Sequence, residues 1–70
     1  MKVGDLIECN GGHRAVIMGV EKLYPRHPDS PARSYEVLWL NEEPSYSYSH
    51  GGKFKRVSAF AVKRVLSESR

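Results

Sequence analysis

Short runs of β-branched and aromatic residues alternate with turn residues along this chain, and no other feature narrows its fold as much. Val3-Gly4-Asp5-Leu6-Ile7-Glu8-Cys9 reads as a first strand, with Val3, Ile7 and Cys9 on one side by period two and Leu6 and Glu8 on the other. Asn10-Gly11-Gly12 follows as a hairpin turn, since both residues of Asn-Gly accept positive φ. Arg14 to Leu23 is a second strand in which Val16, Met18 and Val20 share a face, and Gly19 marks a bulge or bend. Pro25, Pro28 and Pro31 each remove a backbone donor, so Tyr24 to Arg33 is a loop. Ser34 to Leu40 is the most strand-like run, with Tyr35, Val37 and Trp39 on one face and Leu38 and Leu40 on the other. Asn41 to Pro44 turns the chain again.

Beyond Pro44 an extended piece is expected at Tyr46 to Ser49, a break at Gly51-Gly52, and a strand at Lys53 to Val57. In that strand Lys53 and Lys55 point outward together and Phe54 points into the core. Ser58 caps one helical turn through Ala61. Val62 to Leu66 is the closing strand, and the polar end Ser67 to Arg70 frays. A helix over Ala59 to Leu66 is the alternative; Val62 and Val65 disfavour it, and no second helix exists for it to pack against.

Seventy residues make one domain, 1–70, with a thin core. At 40% hydrophobic and 27% charged residues, the composition is that of a globular domain, not a disordered tail. Cys9 is the single cysteine, so no internal disulfide forms and nothing points to an oxidising compartment. The first eight residues carry two acids and no long apolar run, unlike a signal peptide, and no stretch approaches a membrane span. The expectation is a cytoplasmic protein.

The layout resembles the SH3-like barrels, in particular the KOW-type barrels and similar small proteins. Val3-Gly4-Asp5-Leu6-Ile7 matches their opening, followed by a turn at Asn10 to His13 and a Gly-containing Val-rich strand at Ala15 to Val20. Val37-Leu38-Trp39 matches a strand ending in Trp before a turn, and Ser58 to Leu66 the short helical turn and last strand. The chain departs from the pattern at His13-Arg14-Ala15, where a glycine is usual, and in its longer loops. Short proteins of tailed phages are similar, as are the small barrel accessory subunits of photosystem I and ferredoxin–thioredoxin reductase. The resemblance implies an all-β, five-stranded SH3-like small barrel with one short helical turn before the last strand. A phage-encoded member would act in the cytoplasm of its host cell.

No catalytic set emerges, and no enzyme is expected: there is no nucleophile elbow or P-loop, and Gly11-Gly12 and Gly51-Gly52 are turn chemistry rather than a phosphate cradle. Cys9, His13, His27 and His50 could in number fill a zinc site, but their spacing is not that of a zinc ribbon, so neither metal nor cofactor is expected. No small-molecule substrate is evident. Binding chemistry is better represented. Residues 1–43 hold five basic and seven acidic residues, whereas 44–70 hold six basic and one acidic, so the whole basic excess lies in the last third. There Tyr46, Tyr48, Lys53, Lys55, Arg56, Lys63 and Arg64 interleave rings with cations, a pattern that suits single-stranded nucleic acid. Tyr24, Pro28, Pro31 and Arg33 offer a protein-binding alternative, with Pro28 to Arg33 fitting a P-x-x-P-x-R polyproline ligand. The leading expectation is a non-catalytic protein-interaction or assembly accessory module with an unknown protein partner; the alternative is a nucleic-acid-binding module using residues 46–64.

Overall fold

A computed structural model describes residues 1–49 and 51–69. Five strands form in chain order: β1 (Leu6–Cys9), β2 (His13–Lys22), β3 (Ala32–Trp39), β4 (Lys55–Ser58) and β5 (Val62–Ser67), with a single 3-10 turn at Ala59–Ala61 before the last. All neighbouring strands are antiparallel, and the sheet runs β4-β3-β2-β1-β5. The all-β class, the strand count and the capped turn are therefore as the sequence reads. The sheet has two ends, β4 and β5, which share no ladder among the described residues. It is a single open sheet and not a hydrogen-bonded closed barrel.

One face of the sheet carries the core. Ile7 and Cys9 of β1, Ala15 and Ile17 of β2, Tyr35 and Val37 of β3 and Val57 of β4 are all buried, and the pairings Ile7↔Ala15, Ile17↔Val37 and Tyr35↔Val57 place them side by side. With no helical layer among the described residues to cover this face, the sheet must curl over it. Bulges supply the bend, because an extra residue on one strand increases local twist. The register between β2 and β3 shifts from Ile17 to Gly19, at the position the sequence marks. On β5 it shifts twice, opposite Glu8/Cys9 and Leu6/Ile7. Val62 and Val65, three apart, consequently both pack against the core, which strict alternation forbids.

The bulge in β2 corrects one expectation. Val16 pairs with Leu38 on the outer face, whereas beyond the bulge Val20 pairs with Tyr35, so Val16 and Val20 lie on opposite sides of the sheet. Val3 is a second correction: β1 begins at Leu6, and Val3 sits in the preceding turn, 55% exposed. Asp5, not Val3, is the buried residue in register with Ile7 and Cys9. In the β1–β2 turn, Gly11 and Gly12 take the positive φ values (86° and 82°), and Asn10 does not.

The C-terminal segment is held rather than frayed as far as Ser69. Asp5 accepts backbone hydrogen bonds from Lys2 (2.9 Å) and Ser69 (2.7 Å), and Gly4 N–H donates to Ile17 O at 2.8 Å. Gly4, at φ 93°, is needed here twice over: the conformation is left-handed, and a Cβ would lie 2.8 Å from Ser69 Oγ. The expected fraying of Arg70, and the zinc-ligand reading of His50, lie outside the described residues.

Candidate functional site

The basic residues of the last third meet the acidic residues of the first two thirds. The β2 bulge turns Glu21 to the outer face, where Arg56 Nη1 bonds it directly and Arg56 Nη2 lies 3.8 Å from Glu36. Arg33 adds a longer contact to Glu21 at 4.0 Å. Lys55 pairs with Glu43 at 3.6 Å and Arg64 with Glu8 at 2.6 Å. Gly19, Glu21, Glu36 and Arg56 of the outer face, with Val20 between the first two, line a recess of about 370 Å³. Its floor is open because Gly19 has no side chain; a Cβ there would touch Glu36 at 3.4 Å. Two carboxylates and a guanidinium that already bind each other make a structural charge cluster rather than a free anion site. Of the proposed cationic stripe, only Lys53 and Lys63 lack an ion-pair partner among the described residues, and Lys53 lies 5.8 Å from the Phe54 ring centre.

The expected geometry of this stripe changes as well. Because β4 starts at Lys55 and Val57 is buried, Lys55 shares the core-side parity and Arg56 the outer one. Phe54 precedes the strand and is half-buried, outside the core cluster.

The two tyrosines are structural to differing degrees. Tyr46 donates its hydroxyl hydrogen bond to Asn10 O, and its ring makes edge contacts with His13 and Trp39 at 6.1 and 6.4 Å between centres. Burial pushes its phenol pKa up, with Cys9 adding to the effect. His13 Nδ1 lies 2.6 Å from Glu42 O, Trp39 Nε1 donates to Ser47 Oγ at 2.9 Å, and Asn41 Oδ1 accepts from Arg14 N at 3.0 Å. These bonds fasten the β3–β4 loop over the end of the sheet. Tyr48 exchanges two backbone hydrogen bonds with Arg56, covering part of the outer edge of β4, and stays 42% exposed.

The proline-containing loop does not adopt the extended form a polyproline ligand needs. His27 N–H donates to Tyr24 O and Ser30 N–H to His27 O, closing two successive turns with Pro25 and Pro28 at their second positions. Tyr24 N–H donates to Ser30 Oγ at 2.7 Å, which ties the loop to itself. Pro28 and Pro31 are thus exposed members of a folded loop that ends earlier than the sequence suggests, since β3 already begins at Ala32 and Arg33 is an exposed strand residue. Tyr24 stands 57% exposed against His27, ring centres 6.2 Å apart.

Phe60 is the residue that sequence reasoning passed over. It is 95% exposed, in the 3-10 turn between β4 and β5. Ala59 and Ala61 on either side of it pack against the core, so the turn offers its inner side to the alanines and leaves the ring outside, a placement that only the fold shows. The turn is pinned: Ser58 Oγ accepts from Phe60 N at 3.3 Å, Val62 N–H donates to Ala59 O, and Asn10 N–H donates to Ala61 O at 2.9 Å.

Chemistry is sparse elsewhere. Cys9 is fully buried, and burial, with Glu8 nearby, pushes its thiol pKa up, away from the reactive thiolate. Among the described residues no three of His, Cys, Asp and Glu come together as a metal cluster, and no helix is long and apolar enough to cross a membrane. No family model, curated protein or solved structure matches the chain.

Proposed function

We propose that this chain is a non-catalytic protein-interaction or assembly accessory module, with an SH3-like sheet as its scaffold. The strand order, in which the last strand returns beside the first, and the 3-10 turn before it support that architectural reading. The observation that carries the functional reading is Phe60. A large apolar side chain left 95% in solvent on a pinned turn contributes nothing to the core. Burying such a ring against a partner is worth about 2–3 kcal/mol. Aromatic side chains held in advance in their bound position are the usual anchors of protein interfaces.

The nucleic-acid alternative through residues 46–64 has less support. Lys55, Arg56 and Arg64 have carboxylate partners, and Tyr46 is engaged with Asn10, His13 and Trp39. The test is affinity purification of the tagged chain from its native source beside Phe60→Ala, read by quantitative mass spectrometry. A partner retained by the native chain and lost from Phe60→Ala is the expected result. Identical recovered sets would remove the reading.

A further inference from the structure

We infer that the partner's contact surface is acidic: an apolar pocket that receives the Phe60 ring, bordered by carboxylates that face Lys63. This rests on the interaction-module reading and names the chemistry of its partner. Lys63 follows the 3-10 turn on β5, three positions after Phe60. It is exposed and has no ion-pair partner among the described residues. The β5 bulge opposite Glu8 and Cys9 falls at Lys63, which has no counterpart in the β1 ladder. Arg64, paired with Glu8, still has 64% of its side chain exposed. No carboxylate occurs in sequence between Glu43 and Glu68, and Glu8, which β1 brings beside β5, is paired with Arg64.

Apolar anchor and cationic neighbour are thus on one short segment whose backbone is fixed. Such a pair recognises a surface with an apolar centre and a negative rim, because charges at an interface border steer encounter and exclude partners of the wrong sign. A phosphate backbone fits this segment less well. It asks for several free cations in a row, and here a single unpaired lysine follows an apolar ring by three positions.

The test is to pan a displayed library of short random peptides against the immobilised full chain at near-physiological salt. Enriched peptides are then measured against Phe60→Ala and Lys63→Glu. Both side chains are exposed, so both variants are expected to fold, which circular dichroism checks. The expected result is enrichment of peptides rich in Asp and Glu beside large apolar residues. Their affinity should fall at least about tenfold in Phe60→Ala and several-fold in Lys63→Glu. Phe60-dependent peptides with no acidic bias, or with affinity unchanged by Lys63→Glu, would overturn the inference and leave the module reading standing. No enrichment would also overturn it. Binding indifferent to Phe60→Ala, or displaced by single-stranded DNA, would overturn both.

Discussion

Asp5 Oδ1 accepts the backbone N–H of Ser69 at 2.7 Å across sixty-four positions of sequence, joining the residues before β1 to those after β5. Its other oxygen holds Lys2 N, so one buried carboxylate organises both flanks of the β1–β5 pair.

Acid sensitivity follows from this clamp. The hydrogen bond from Ser69, then that from Lys2, lowers the Asp5 pKa below its ordinary 3.8. A carboxyl whose folded pKa is depressed binds fewer protons when folded, so its stabilisation is present above the unfolded value and disappears as pH falls through the folded one. Thermal unfolding followed from neutral pH to below 3.8 should show a loss of stability in the native chain that is smaller in Asp5→Asn. Equal acid sensitivity of the two proteins would count against the clamp.

Gly4→Ala should destabilise more than Gly12→Ala. Both glycines have positive φ, which costs about 1–3 kcal/mol for a residue with a side chain. Only at Gly4 does the added Cβ also meet Ser69, whereas Gly12 has nothing within 4 Å. Urea unfolding of the two variants measures the difference directly.

The parity of β2 and β3 predicts a sharp contrast in the core. Ile17→Ala, at a fully buried position, should cost about 2–5 kcal/mol. Leu38→Ala, at a position 48% exposed on the opposite face, should cost less than about 1 kcal/mol. Comparable losses in chemical denaturation would mean that the faces are assigned the wrong way round.

Arg56→Ala should leave Glu21 and Glu36 without their shared cation and destabilise by about 1–2 kcal/mol, less at high salt. A companion Glu21→Gln/Glu36→Gln variant frees Arg56 and should gain affinity for polyanions such as single-stranded DNA, measured by titration at low salt.

Much of this architecture is legible in the residues. Gly11, Gly19 and Ser58 mark a turn, a bulge and a cap, and each signal is local, needing only neighbouring backbone. What period two misreads lies past a bulge or outside a strand: Val20 is displaced by the extra residue in β2, Val65 by the extra residue at Lys63 in β5, and Val3 and Phe54 lie outside the strands assigned to them. The charge pattern misleads for another reason. Arg56 and Arg64 find their carboxylates 35 and 56 positions away, through a strand order that charge runs do not encode. Phe60 was hidden because an apolar residue is first assigned to the core, and only the fold reveals which one has none to enter.

The measurement that bears most directly on the central claim, an apolar anchor rather than a cationic stripe, is fluorescence anisotropy. Labelled single-stranded DNA, duplex DNA and RNA would each be titrated at low and near-physiological salt. The account predicts no saturable binding near physiological salt, and no difference between the native chain and Lys53→Ala/Lys55→Ala/Arg56→Ala. Micromolar binding that weakens steeply with salt and is lost in that triple variant would contradict it.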